Sequence, residues 1–202
     1  MKNFLLSSEI KINSYKKNFL SVNIEWYNYL RTLNINPILY YNERKKINID
    51  KNYKKIDGVI LSGGGDLYKI SKKKKDADRD EFELNLIDYA IKKKLPIIGV
   101  CRGFQLFANK IGCELSKIDN HYGNSHTLIQ SSKKLMKVNS FHKYKIVDHN
   151  SILNVIASFK DSIEIATYKK YNFLGLMFHP ERKNYDQIKV NLLIKKFLLK
   201  QL

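Results

Sequence analysis

The sequence has little cysteine, proline or tryptophan, with two Cys, three Pro and one Trp in 202 residues. Two cysteines, Cys101 and Cys113, are too few for a disulfide framework, so each is judged on its own surroundings. No stretch approaches the roughly 18 consecutive apolar residues of a membrane helix, and residues 1–9 lack the long apolar segment of a signal peptide. These absences predict a cytoplasmic protein without a membrane segment.

Acidic residues are also scarce: 19 Asp and Glu stand against 37 Lys and Arg, which gives a net charge of +18. A basic surface can neutralise phosphates, but Lys, Asn, Ile and Tyr are abundant throughout, so the charge also fits overall composition. The one dense run, the four lysines of residues 72–75, falls in an expected loop. No stripe of alternating aromatic and basic residues suggests a single-strand binder. Nucleic acid is therefore not expected, whereas a small phosphorylated substrate stays open.

Hydrophobic residues make up 44% of the chain and alternate between short runs and amphipathic stretches. The length suffices for one sizeable core, and without a linker or repeat we expect residues 1–202 to form one domain. Strands are predicted at 4–6, 37–41, 56–62, 96–100, 163–168 and 173–178, and helices at 19–33, 79–94, 102–111 and 185–199. The alternation predicts an α/β fold with a mostly parallel central sheet flanked by helices. Residues 119–150 are predicted to form an irregular loop region.

A cysteine follows the apolar run of residues 96–100, flanked by glycines in the pattern Gly99-x-Cys101-x-Gly103. This spacing is typical of a nucleophile elbow, a tight strand-to-helix turn in which glycines relieve the crowding of neighbours. The turn would expose the sulfur at the N-terminus of the next helix, where the helix dipole favours a thiolate. A buried core cysteine with unrelated glycines is the alternative.

A thiolate needs a base, and the base needs an orienting group. His179-Pro180-Glu181 follows the apolar run of residues 173–178, again at a strand end. Because residues i and i+2 of an extended segment face the same side, Glu181 can orient His179 toward Cys101.

Three glycines follow the predicted strand 56–62, in the stretch Gly63-Gly64-Gly65-Asp66. Backbone N–H groups of such a loop, together with that of Arg102, can form an oxyanion hole. A phosphate-binding P-loop fits poorly, because no Gly-Lys-Ser/Thr follows.

Together these pieces resemble the class I glutamine amidotransferase superfamily, and within it the stand-alone γ-glutamyl hydrolase branch (peptidase family C26). Five motifs carry the resemblance in order: the glycine loop at 62–66, Arg-Asp-x-Phe-Glu at 79–83, the elbow Gly-x-Cys-Arg-Gly-x-Gln at 99–105, Val-Asn-Ser-x-His at 138–142 and His-Pro-Glu at 179–181. Two residues depart from the branch. Ser62 replaces a usual proline, which should affect only loop rigidity, and Cys113 replaces a frequent glycine, which suggests packing.

The resemblance implies a catalytic triad of Cys101, His179 and Glu181 that cleaves a γ-glutamyl amide through a thioester. It implies that Arg102 and a glycine of 63–65 serve the oxyanion, and which glycine does so is left open. The residues that the resemblance assigns to substrate binding are Gly64, Gly65, Arg102, Gln105, Asn139, Ser140 and His142. No cofactor is implied.

Two histidines lie in the predicted loop region, and no His/Cys/Asp cluster has the sequence spacing of a metal site. His121 and His126 are therefore expected to be solvated loop residues, and no metal is expected.

The leaving group of the substrate is left open between three classes. The resemblance to small hydrolases of γ-glutamyl-CDP-amidate, active in capsule phosphoramidate synthesis, implies a nucleotide-linked substrate. A diphosphate would account for basic residues near the pocket, with Arg102, Lys143 and the lysines of 72–75 as candidates. A γ-glutamyl-GABA hydrolase would not need them. A glutaminase that works as one component of a larger enzyme would need a partner synthetase, and an obligate partner is not expected.

Overall fold

The computed structural model describes residues 1–40, 55–131 and 133–202. Its strands are β1 Lys2–Ser7, β2 Glu9–Ile12, β3 Asn18–Ser21, β4 Ile35–Tyr40, β5 Gly58–Leu61, β6 Ile97–Val100, β7 Glu114–Lys117, β8 Ser125–Gln130, β9 Lys133–Asn139, β10 Tyr144–Val147, β11 Asn154–Phe159, β12 Ser162–Tyr168 and β13 Phe173–Leu176. Its helices are α1 Glu25–Thr32, α2 Tyr68–Ser71, α3 Lys74–Lys92, α4 Arg102–Lys110 and α5 Gln187–Leu198. Within these residues, no helix combines the length and apolar character needed to cross a membrane.

A nine-stranded sheet in the order β4-β1-β5-β6-β13-β12-β11-β8-β9 forms the centre of the fold. The first five of these strands are parallel to one another, and the remaining four extend the sheet in antiparallel fashion. Every residue of β5, β6 and β13 is buried, as expected for apolar strands covered on both faces. The carboxyl ends of these three neighbours therefore meet at one edge, where a ligand site is expected.

Helices cover both faces of the sheet. On one face, α1 and α5 contribute Trp26, Leu30 and Phe197 to an apolar cluster. On the other face, α3 and α4 contribute residues such as Phe82 and Phe107. The predicted α/β fold, with a large mostly parallel sheet between helices, is confirmed.

Two local predictions were wrong. Residues 119–150 contain strands β8, β9 and β10 rather than an irregular loop. In β8 and β9 the sequence hides this because only alternate side chains, such as Leu128 and Val138, are buried. The predicted helix 19–33 begins at Glu25, and β3 instead pairs with β2 in a hairpin. Tyr41, in the predicted strand 37–41, lies outside the described residues.

Candidate active site

Cys101 lies at the turn between β6 and α4, with φ 50° and ψ −104°. A residue with a side chain rarely adopts this conformation, which is strained. Two close approaches leave no space for side chains beside it: a Cβ on Gly99 would lie 3.0 Å from the backbone of Phe104, and one on Gly103 would lie 2.3 Å from the carbonyl oxygen of Leu61. The spacing of the two glycines thus corresponds to a built elbow.

His179 follows β13 and pairs with two side chains. Its Nδ1 lies 2.7 Å from Oε1 of Glu181, and its ring also hydrogen-bonds with Cys101. Burial alone would lower the pKa of His179, but the hydrogen bonds and negative charge of Cys101 and Glu181 outweigh it and raise the pKa to about 9. Cys101, His179 and Glu181 therefore form a continuous buried row in which the imidazole can accept and return a proton.

The backbone of His179 is held by two asparagines. Asn139, at the end of β9, accepts a hydrogen bond from the N–H of His179 at 2.9 Å and donates one to its carbonyl at 2.8 Å. Asn184 donates to the same carbonyl at 3.0 Å and accepts from the side chain of Asn139 at 2.9 Å. Asn184 escaped the sequence analysis, because nothing in the sequence places it beside Asn139.

The glycine loop is anchored by a buried arginine of the motif at 79–83. The Arg79 guanidinium donates to the carbonyl oxygens of Ser62, Gly63 and Gly64 at 3.0, 3.1 and 2.6 Å. Ser62 does more than change loop rigidity, because its N–H donates to Oγ of Ser7 at 2.9 Å, a bond that proline could not make.

The side chain of Arg102 does not reach the pocket. It is fully buried and pairs with the carboxylates of Glu83 and Asp80. The expectation that this guanidinium could hold a diphosphate was therefore wrong. Its backbone N–H, in the first turn of α4, has no partner within the helix and remains a candidate oxyanion donor.

A cavity of about 270 Å³ opens beside Cys101 and His179. The residues that line it are Gly64, Gly65, Asp66, Cys101, Gln105, Tyr122, Phe141, His142, Lys143, Tyr144, His179 and Arg182. A neighbouring cavity of about 230 Å³ is also lined by Gly64, His179 and Arg182, and additionally by Glu181. Of the predicted substrate-binding side chains, those of Gln105 and His142 lie at the first cavity.

Asn139 and Ser140 are absent from the lining of both cavities. The amide of Asn139 is committed to the backbone of His179, and the hydroxyl of Ser140 is buried without a hydrogen-bond partner. For these two residues we replace the expected substrate contact with a role in positioning the site.

Two basic side chains do line the first cavity, Lys143 and Arg182. The sequence analysis named Lys143 and missed Arg182, which directly follows the His-Pro-Glu motif. The guanidinium carbon of Arg182 lies 4.6 Å from the centre of the Phe141 ring, and the Phe141 ring meets His179 edge-on at 5.9 Å. The lysines of residues 72–75 lie outside the lining, and Lys74 and Lys75 begin α3.

The expectation that His121 and His126 are solvated was wrong. Both are buried, at 4% and 6% exposure, because β8 and the preceding bend pack against β12. Each ring faces the buried carboxylate of Glu164.

Comparisons with known proteins agree with this geometry. The family model of class-I glutamine amidotransferases matches residues 15–198. A gamma-glutamyl-CDP-amidate hydrolase of Campylobacter jejuni is 37% identical over 139 residues, which are 67% of this chain and 68% of that protein. The glutamine-hydrolyzing component of a two-part GMP synthase from Methanococcus aeolicus is 30% identical over 161 residues, or 75% and 78% of the two chains.

The fold has counterparts among solved structures. The crystal structure of a glutamine amidotransferase from Thermotoga maritima matches with a TM-score of 0.64 at 18% identity, covering 99% of this chain and 85% of that one. The chain belongs to the class-I glutamine amidotransferase family and is a glutamine-amidotransferase-like hydrolase.

Proposed function

We propose that the protein hydrolyses a γ-glutamyl amide bond with Cys101 as nucleophile, His179 as acid and base, and Glu181 as the group that orients His179. The observation that carries this proposal is the buried row of these three side chains beside the cavity, with Cys101 on a strained turn. A nucleophile, a base within hydrogen-bond reach and an orienting carboxylate are the parts that acyl transfer requires.

The reaction balances in two halves. The sulfur of Cys101 attacks the γ-carbonyl carbon, the C–N bond breaks, and the imidazolium of His179 gives its proton to the leaving nitrogen. A thioester between Cys101 and the glutamyl group remains. Water then attacks the thioester carbon while His179 takes a proton from it, and glutamate leaves with the thiolate restored.

The tetrahedral oxyanion of each half needs hydrogen-bond donors. We assign them to the backbone N–H groups of Arg102 and Gly64. A side chain at Gly63 would meet Cε1 of His179 at 2.4 Å, so Gly63 packs against the base, whereas Gly64 lines the cavity. Gly65, at the same cavity, belongs to the substrate-binding wall in this proposal, together with Gln105 and His142.

For the leaving group we propose a nucleotide, as in γ-glutamyl-CDP-amidate, which would yield glutamate and cytidine diphosphoramidate. Two observations support this substrate. One relative that is 37% identical is a gamma-glutamyl-CDP-amidate hydrolase, and Lys143 and Arg182 place positive charge at the cavity, where a diphosphate would be attracted. On the same resemblance we place the reaction in capsule phosphoramidate synthesis, without an obligate protein partner.

The test is glutamate release by purified protein from glutamine, γ-glutamyl-GABA and γ-glutamyl-CDP-amidate, with Cys101→Ala as the blank. We expect a strong preference for the nucleotide and none of this activity in the blank. Preference for γ-glutamyl-GABA would overturn the nucleotide assignment but keep the chemistry. Activity that persists in Cys101→Ala would overturn the chemistry itself, and turnover of glutamine only with a synthetase present would point to a glutaminase that serves a partner.

A further inference from the structure

Four buried ionisable side chains from separate segments meet behind the cavity wall. His121 lies between β7 and β8, His126 on β8, His142 between β9 and β10, and Glu164 on β12. None of these side chains is more than 4% exposed. The proposed hydrolysis uses neither Glu164 nor His121 nor His126, so the cluster needs its own explanation.

The three imidazoles face the carboxylate with their Nε2 atoms. Those of His121 and His142 lie 3.4 and 3.2 Å from Oε1 of Glu164, and that of His126 lies 3.4 Å from Oε2. None of the three nitrogens is aligned for a hydrogen bond, and Oε2 has no hydrogen-bond partner either. Four converging polar atoms without partners are costly in a buried site.

The tautomer of one ring makes the cost specific. Nδ1 of His142 lies 3.1 Å from the carbonyl oxygen of Tyr144, so it carries the proton and donates. In the neutral ring, Nε2 then directs its lone pair at the carboxylate of Glu164. A histidine fixed in this way by a backbone carbonyl is the usual arrangement of a metal ligand. Ser162 likewise holds the carboxylate, donating its hydroxyl to Oε1 at 2.8 Å.

We propose that His121, His142 and Glu164 bind a divalent transition-metal ion of the Zn²⁺ class, with His126 as the fourth ligand on the opposite carboxylate oxygen. One ligand atom from each of the first three residues lies within 4.8 Å of the other two. A tetrahedral Zn²⁺ with bonds of about 2.0–2.2 Å sets its ligand atoms about 3.3–3.6 Å apart, close to the separations found here. Imidazole nitrogens suit Zn²⁺ and its neighbours in the series.

Such an ion would be structural, because protein ligands fill all four positions and leave none for a substrate. It would tie the bend before β8, β8 itself and the loop after β9 to β12. That loop supplies His142 and Tyr144 to the cavity wall, and Gln105 donates to the same Tyr144 carbonyl at 3.0 Å. The ion would therefore fix the shape of the wall without touching the reacting atoms.

The test measures metal directly and does not depend on the proposed hydrolysis. It uses untagged protein in a Cys101→Ala background, which removes the thiol that could bind zinc at the cavity. Zinc content is measured by mass spectrometry, and cobalt uptake by visible absorption after chelation. We expect stoichiometric metal and a chelator-dependent fall in the melting temperature. His149→Asn, which removes an exposed histidine, should change neither, whereas Glu164→Gln and His121→Asn should lose the metal.

Two results would overturn the proposal. One is a folded Cys101→Ala protein that takes up neither zinc nor cobalt and whose melting temperature is indifferent to chelator. The other is undiminished metal in folded Glu164→Gln and His121→Asn proteins. If those variants fail to fold, the cobalt spectrum of the intact cluster decides, because tetrahedral nitrogen and oxygen ligation is distinguishable from ligation by the remaining thiol, Cys113.

Discussion

The side-chain amide of Asn139 brackets the backbone of His179, accepting from its N–H at 2.9 Å and donating to its carbonyl at 2.8 Å. Both bonds are buried and join residues 40 positions apart in the chain. The end of β9, in the antiparallel half of the sheet, thus sets the position of a side chain that follows the parallel strand β13. The antiparallel strands are in this way part of the machinery that aims the base.

Asn139→Ala should reduce kcat on the order of a hundredfold, the effect of misplacing a reacting group by about an ångström, with little change in KM. It should also lower stability by about 1–3 kcal/mol for each backbone group left unpaired. Steady-state kinetics and denaturant unfolding check both effects. Asn154→Ala, at an exposed position of β11, is the matched control. A rise in KM at unchanged kcat would instead restore Asn139 to a substrate-binding role.

The activity should decline as the pH rises through about 9. Cys101 and Glu181 outweigh burial and raise the pKa of His179 from 6.5 to about 9, so at higher pH the imidazolium that protonates the leaving nitrogen is lost. Glu181→Gln removes one of the negative charges that raise this pKa, so the alkaline limb should move to lower pH, and kcat should fall by about 10²–10⁴-fold. An alkaline limb that stays in place in this variant would contradict the assignment.

The two cysteines should differ in their reaction with iodoacetamide. Burial, and then the charge of Asp148, raise the pKa of the Cys113 thiol to about 11, and the side chain lies in an apolar cluster. Cys101 lines the cavity beside His179, so we expect alkylation at Cys101 alone, with loss of activity in step. Peptide mass spectrometry assigns the site, and Cys113→Ala should inactivate at the same rate as the unaltered protein. Equal labelling of both thiols would refute the selectivity.

The sequence predicts those parts of the site whose geometry is local. The elbow follows from glycines two residues on either side of Cys101, and the pairing of His179 with Glu181 follows from an i, i+2 relationship. Apolar runs such as residues 97–100 announce strands that are buried on both faces. In each case the determining neighbours lie within a few residues.

The parts that the sequence does not predict depend on contacts between distant segments. His121 and His126 look solvated because their polar surroundings hide strands that bury only alternate residues, and only the pairing across the sheet brings them to Glu164. Arg102 looks like a candidate for the pocket until α3 supplies Glu83 and Asp80 to enclose it. Loop residues such as Arg182 carry no periodic signal.

Gly63→Ala should nearly abolish turnover by displacing His179. The added Cβ would lie 2.4 Å from Cε1 of His179 and 3.3 Å from Cβ of Cys101, so the base must move, at a cost on the order of a hundredfold in kcat. Gly112→Ala is the matched control, because at φ +100° its Cβ would meet only Ile152 at 3.8 Å. It should cost about 1–2 kcal/mol of stability and leave kcat unchanged. Full activity in Gly63→Ala would show that the base tolerates displacement.

Lys143→Gln should raise KM for a nucleotide-linked substrate several-fold and leave KM for glutamine unchanged, because only the former carries a diphosphate toward this side of the cavity. Pyrophosphate should inhibit the unaltered protein competitively and the variant more weakly, and added salt should weaken nucleotide binding more than glutamine binding. Lys195→Gln, on an exposed position of α5, is the control of equal charge change and should behave as the unaltered protein does. If both variants respond alike, the positive charge acts only through the overall field of the molecule, and the cavity holds no diphosphate contact at Lys143.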